Sequence, residues 1–435
     1  MPGFEWKSRA KPQNSFSMPE TDLTETDQTI SQATPLAALL ETAAKPHELE
    51  AYRLCSYRGV LTPRELDAPE REIAALARGA AVHDLGWLKR VAVRGEDRFR
   101  WLSGMVTNTV NDLFPNSGAW NLVLNAQGRI QGDLTVWRGG EELSAQRRNP
   151  AGGTAENGDR LLGTPFAGES GLELEIAADQ YEKLLAHLNR FIIMDDVELV
   201  PIGEEQAGEA GVATAIGLTG PQANEVLERL GLPGLVMPMT GTRVEWNGID
   251  LRIERGYGAL APHYVLWTPA ARLKKLWNGL RTAGATPVGA ASLDAFRIAE
   301  AIPAYGIDIV ERDLPQETSQ LRALHFNKGC YLGQEIVERI HSRGSVHRHL
   351  RALELSGPLP AAGAELSFKN AEEKNAATGQ ITSAAELPFV SGKRLFALGM
   401  IRGEAEQSNQ PLTYVAGAAT GTAQILAGPP ALEKY

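Results

Sequence analysis

The stretch HFNKGCYLGQEIVERIHSRG, residues 325–344, holds Cys330, one of two cysteines in the chain, two residues after Lys328 and just before Tyr331, Gln334 and Glu335. A lysine at that spacing favours thiolate, Gly329 lets the backbone bend, and GQEIVERI reads as a helix start whose positive end acts in the same direction. The residue types leave two readings open. Cys330 is a reactive or ligand-contacting thiol, or it is a buried structural cysteine, since free Cys is among the most buried residue types.

Other candidate motifs fail on their context. GYGALA at 256–261 fits G-x-G-x-x-A by letters, but Pro262 and the strand-like HYVLW follow where a dinucleotide loop requires a helix. No Walker A sequence, nucleophile elbow or H-E-x-x-H motif occurs. Four of the eight histidines lie between 325 and 349, yet no cysteine or acid cluster completes a ligand set, so no residue is assigned to a metal. The tract RIHSRGSVHRHLR brings Arg339, Arg343, Arg348 and Arg351 together, either as a solvated linker or as forks for a ligand carboxylate or an RNA backbone.

The scaffold that positions these residues is large. At 435 residues the chain is read as two or three domains, given roughly 100–200 residues per domain. Hydrophobic content of 43% and charged content of 22% are those of a soluble globular protein, and a net charge of -10 argues against gripping nucleic acid with the whole surface. Two cysteines make no disulfide framework, MPGFEWKSRAKPQNSF contains no apolar signal core, and no run approaches the length of a membrane span, so a cytoplasmic protein without a membrane role is expected. Two thiols also cannot supply the four ligands of an ordinary iron–sulfur cluster.

Residues 1–46 read as a mobile leader with one weakly helical piece, PLAALLETAAK, and the Gly-, Asn- and Pro-rich residues 139–170 read as a long inserted loop. Between them, LKRVAVRG and the hairpin AWNLVLN…DLTVWR read as strands; beyond, LELEIA alternates as a strand and DQYEKLLAHLNR as a helix with Asp179 at its N-cap. In RVEWNGIDLRIE, Asn247 and Gly248 supply a two-residue hairpin turn. Strands and helices in this mixed, hairpin-linked order indicate α+β layers rather than a doubly wound sheet. From 346 to 435 short strands separated by polar turns indicate a small β-barrel or sandwich.

KGCYLGQE resembles the signature of the YgfZ group, folate-binding proteins similar in fold to the aminomethyltransferase (T-protein) of the glycine cleavage system. AAVHDLGWLKRVAVRGEDRFRWLSGMVTNTVNDL, LTGPQANEVLERLGL and LDAFRIAEAIPAYGIDI extend that resemblance over roughly residues 48–350. It implies two mixed α/β lobes, interleaved in sequence within 47–345, that form a ring-like folate-binding body, and a C-terminal β-barrel at 346–435. It also implies tetrahydrofolate as cofactor and a role as accessory to iron–sulfur cluster assembly or repair, with iron–sulfur client or assembly proteins as partners and an effect on tRNA modification.

On this resemblance Cys330 and Lys328 are the candidate catalytic residues, facing the cavity or its rim, and Arg297, Tyr331, Gln334, Glu335 and Asp133 are the candidate folate contacts. The departures bear on enzyme activity. T-proteins carry two adjacent aspartates where this chain has Gly132-Asp133, and an acid-rich G-Y-T-G-E-D-G-x-E segment where it has GYGALAPHYVLW. Arg297 matches the arginine before the family's E-A-G, with Ala299 at the glutamate position and Glu300 next to it. The alternatives are a folate-dependent aminomethyltransferase or demethylase of a small amine, with Asp133 as the surviving acid, and an RNA-binding module using 339–351.

Overall fold

The computed structural model describes residues 32–43, 53–140, 171–203, 212–369, 375–389, 392–408 and 410–432. Residues 1–31 and 44–46 of the expected leader, and 141–170 of the expected inserted loop, lie outside the described residues. Within the leader, PLAALLETA forms the helix Pro35–Ala43, and its Leu36 and Ala37 are buried.

The body is built on an eleven-stranded sheet. Every pairing described in it is antiparallel except that of Thr286–Val288 with Ala81–Asp84. At one place the sheet is barely continuous: Ser117 opposite Thr240 is the pairing recorded between two otherwise fully laddered halves. The first half contains Leu88–Arg94, Ser117–Leu124, Ile130–Arg138, Leu172–Ala177 and Glu198–Pro201. LELEIA alternates buried and half-buried as its period demands, and Val91, Leu174 and Leu184 are part of the core beneath the helix Ala178–Asn189. The expected cap of that helix is displaced: helical structure begins at Ala178, and the Asp179 carboxylate turns to Arg58 at 3.2 Å. An ion pair with a half-buried arginine has taken the oxygen that would have capped the helix.

The second half contains Ala81–Asp84, Ala213–Thr219, Thr240–Trp246, Ile249–Arg255, His263–Pro269 and Thr286–Val288, over a core that includes Leu251, Leu266 and Trp277. Its hairpin turns at Asn247 and Gly248 with φ of 51° and 74°, the left-handed pair that a two-residue turn requires. Ala81–Asp84 precedes the first half in the chain but pairs inside the second, so the halves interleave in sequence. GYGALA leads into the strand His263–Pro269, which removes the helix a dinucleotide loop needs.

Six strands, Arg348–Ser356, Glu365–Lys369, Asn375–Phe389, Gly392–Arg402, Leu412–Ala416 and Ala419–Ile425, close the C-terminal barrel. It has its own core of residues such as Leu353, Ile381 and Tyr414. Its outer residues Leu350 and Phe396 also join a cluster with Ile73, Phe296 and Val337, so barrel and body share buried surface. The architecture is the α+β body with appended barrel expected of the T-protein fold. Among the described residues no helix is long and apolar enough to cross a membrane.

Candidate functional site

Strand alternation in the first half puts Asp133, Thr135 and Trp137 on one face, and Glu175, opposite Thr135, beside them. On the helix Ala290–Ala299 and its C-cap, the spacing Leu293, Phe296, Arg297, Glu300 presents one face in the i, i+3, i+4, i+7 pattern. These two faces, with Tyr57, Arg58, Trp87 and Trp120 and with Thr219, Tyr257 and His263 from the second half, enclose a cavity of about 240 Å³.

Arg297 is half of a buried network rather than a surface arginine. Its Nε donates to Asp294 at 2.7 Å and its Nη1 to Asp308 at 2.6 Å, while Nη2 is buried with no partner among the described residues. Burial works against its charge, but Asp294 and Asp308 outweigh burial and hold the guanidinium charged. Asp308 also accepts from Thr382 and Ser383 of the barrel, each at 2.6 Å, so the Y-G-x-D turn is an anchor between body and barrel.

Asp133 lines the cavity and accepts from Trp120 Nε1 at 2.8 Å and Gln180 Nε2 at 2.9 Å. A Cβ at the neighbouring Gly132 would lie 2.7 Å from both Gln180 Oε1 and a Leu184 methyl, so an acid there requires the ends of those two side chains to shift. Glu300 accepts from the backbone N–H of Leu260 at 2.9 Å, which folds the acid-free 256–262 segment onto the one carboxylate near it in this helix. Burial pushes the Glu300 carboxyl up to about 7, against the lowering pull of the 259–261 backbone N–H groups.

Glu175 belongs to a buried charge cluster with Arg90, Glu173, Arg252 and Glu254. Arg90 pairs with Glu173, Arg252 bridges Glu173 at 2.7 Å, and Trp267 Nε1 donates to Glu254 at 2.8 Å. Burial first, then the charge of Glu254, drives the Glu175 carboxyl well above its ordinary range. On the opposite wall Thr219 Oγ1 lies 2.7 Å from His263 Nδ1 and 2.9 Å from His83 Nε2. Burial lowers these histidines to about 4 and about 3, so both are neutral at pH 7.

The cysteine segment is elsewhere. None of Lys328, Cys330, Tyr331, Gln334 and Glu335 is among the residues that line the cavity, where the expectation had placed the thiol at the cavity or its rim and the other side chains in contact with folate. Most of the segment is architectural. Lys328 Nζ donates to the carbonyls of Val106 at 2.7 Å and Asn108 at 2.6 Å, and burial lowers it to about 8. Tyr331 is buried in the shared core, Gln334 Oε1 accepts from its N–H at 3.2 Å, and Gly333, at φ +80°, sits where a Cβ would meet Asn125 O at 2.6 Å. Cys330 and Glu335 are exposed. The thiol therefore does not pack, and the buried-cysteine reading is withdrawn.

The basic tract also divides. Arg348 pairs with Asp313 at 2.8 Å and Glu317 at 3.0 Å, and Arg351 with Glu406 at 2.7 Å, which leaves Arg339 and Arg343 exposed on the helix Gln334–Arg343. Arg348 thus ties the barrel to the body, while Arg351 pairs within the C-terminal domain and donates to Ser319 Oγ of the body at 3.1 Å. Sequence reasoning missed Glu175, Trp137, Trp87 and Arg322. For Trp137 and Glu175 a signal existed, since Trp137 shares a strand face with Asp133 and Thr135, and Glu175 lies opposite Thr135; for Arg322, in a 3-10 turn, none did.

Residues 44–146 match the family model of the GCVT N-terminal domain. A chloroplast protein of Arabidopsis thaliana, whose name provisionally assigns it a transferase activity, is 24% identical over 301 residues, 67% of this chain; the match spans 60% of the length of that relative. The aminomethyltransferase of Nostoc sp. is 24% identical over 324 residues, 71% of this chain and 75% of that protein. Among solved structures, the glycine cleavage system aminomethyltransferase T from Bartonella henselae superposes with a TM-score of 0.71 at 18% identity, covering 92% of this chain and 97% of that one. Residues 44–146 thus resemble the GCVT N-terminal domain, and the chain as a whole has the aminomethyltransferase T-protein fold.

Proposed function

We propose that the cavity binds tetrahydrofolate or a derivative of it, and that the protein acts as a tetrahydrofolate-dependent accessory to iron–sulfur cluster assembly or repair, affecting tRNA modification through an iron–sulfur client enzyme. The observation that carries the folate half is a set of sealed polar atoms on the cavity wall. Glu175, Trp87, Trp137 and Arg297 line the cavity, and Glu175 Oε2, Trp87 Nε1, Trp137 Nε1 and Arg297 Nη2 have no hydrogen-bond partner among the described residues. Each such group left unpaired costs about 1–3 kcal/mol. A flat heterocycle carrying both N–H donors and ring acceptors, as a pterin does, satisfies this set between aromatic walls.

In this reading Glu175 accepts a ring N–H, and the two indoles and Arg297 Nη2 donate. Arg297 is aimed by the acids on its other nitrogens, and the surrounding rings exclude water. Bound tetrahydrofolate would supply a ring nitrogen able to carry one-carbon units. The resemblance of KGCYLGQE to the YgfZ group supplies the iron–sulfur half, and two features agree with it. Gly132 stands where T-proteins carry one of their two acids, and the exposed Cys330 is available to a client or assembly protein.

Calorimetry with tetrahydrofolate on the reduced protein tests the folate half. Binding is expected, and Trp137→Phe, which removes the indole N–H and keeps a ring, is expected to weaken it; a folded wild type that does not bind refutes it. For the second half, a deletion strain should recover iron–sulfur enzyme activity with the wild type and not with Cys330→Ser. Full recovery with folded Cys330→Ser removes the thiol from the account. One observation favours a second reading: Asp133 lies in the cavity wall as an acid for one-carbon transfer. That reading requires consumption of a methylated amine with appearance of methylene-tetrahydrofolate.

A further inference from the structure

The cavity has a closed end and an open end. Trp137 and Leu134 are each 2% exposed and Val265 is 4% exposed, whereas Tyr257 is 41% exposed. Beside Tyr257 stands Arg322. Its guanidinium carbon lies 3.6 Å from the centre of the Tyr257 ring and 4.6 Å from that of Trp120, so two aromatic rings fix the plane of the group. Its Nε donates to Gln320 at 3.1 Å. Among the described residues no carboxylate forms an ion pair with it, and neither terminal nitrogen has an acceptor.

That contrasts with the other cationic groups of the wall. Arg297 is neutralised by two aspartates, and Arg58 is paired with Asp179 at 3.2 Å. An arginine held flat and half-buried, with its terminal fork free, is suited to bidentate recognition of a carboxylate. We propose that Arg322 is the anion-binding residue of this site and takes a carboxylate of the glutamyl tail of the folate, while the ring occupies the closed end against Glu175 and Trp137. This inference rests on the folate reading above and gives the ligand's carboxylate to Arg322 in place of the arginines of the 339–351 tract.

The test is a cycle of two proteins and two ligands measured by calorimetry: wild type and Arg322→Ala, each with tetrahydrofolate and with its diamide, in which both glutamyl carboxylates are converted to neutral amides of nearly the same size. A charge-assisted fork contributes about 1.5–3 kcal/mol. Wild type should therefore bind the diamide about 10–100-fold more weakly than tetrahydrofolate. Arg322→Ala should bind both ligands equally, at the affinity wild type shows for the diamide. Raising salt should weaken tetrahydrofolate binding to wild type and leave the variant nearly unaffected. Equal binding of both ligands by wild type overturns this inference and leaves the folate reading standing. A variant that still prefers tetrahydrofolate, or loses both ligands alike, also overturns it. Failure of wild type to bind either ligand refutes the folate reading and this inference with it.

Discussion

Glu300 allows the energetics of the cavity wall to be tested without any ligand. Its carboxyl rises from 4.5 to about 7 because burial penalises the charged form more than the 259–261 backbone N–H groups and Arg322 stabilise it. The folded protein thus holds a proton that the unfolded chain releases between pH 4.5 and 7. A folded-state value above the unfolded one means stability is fully present below the unfolded value and is lost as pH rises through the folded value. The shift from 4.5 to about 7 corresponds to about 3 kcal/mol, most of which falls between pH 5 and pH 8. Glu300→Gln keeps the shape and cannot ionise. Urea unfolding of both proteins at pH 5, 6, 7 and 8, followed by tryptophan fluorescence, should show the variant gaining about 2–3 kcal/mol relative to wild type across that range. The comparison cancels the other titrating groups. Parallel stability curves would show that Glu300 is already ionised at pH 5 and would refute the reasoning.

Three further outcomes follow from the same contacts. Arg348→Ala leaves Asp313 and Glu317 facing each other without their shared cation; the loss should be about 2–3 kcal/mol, at the low end for a buried pair because Arg348 keeps some water contact, with faster hydrogen exchange in the strand Arg348–Ser356. Lys328→Met removes the two bonds to Val106 and Asn108, which should cost about 1–3 kcal/mol and raise the labelling rate of Cys330 by a thiol reagent. Cys330→Ser should change stability by about 0.5 kcal/mol or less and leave tetrahydrofolate affinity within twofold, since the thiol is exposed and outside the cavity.

The sequence carried the fold further than the site. Period-two alternation in LELEIA, the Asn247-Gly248 turn and the short, evenly spaced strands after 346 encode local geometry directly, and each appears as an element of the structure. The barrel strand Glu365–Lys369 was not read, because ELSFK is brief and flanked by polar turns. The cavity is assembled from residues far apart in the chain. Asp133 and Arg297 could be named because motifs mark them, whereas Glu175 and Arg322 reach the wall only through strand register and a 3-10 turn. The cysteine motif misled in an instructive way. Its spacing is distinctive because Lys328, Tyr331, Gly333 and Gln334 each have an architectural duty, and proximity in sequence to a recognisable motif did not place Cys330 at the cavity.

The central claim is that the aromatic cavity, and not the cysteine segment, receives the folate. A crystal structure of the protein with tetrahydrofolate tests it most directly. The account predicts pterin density at the closed end of the cavity, hydrogen-bonded to Glu175 Oε2 and Trp137 Nε1. Density lying instead against the 328–335 segment, or a cavity that stays empty while the ligand binds in solution, would contradict it.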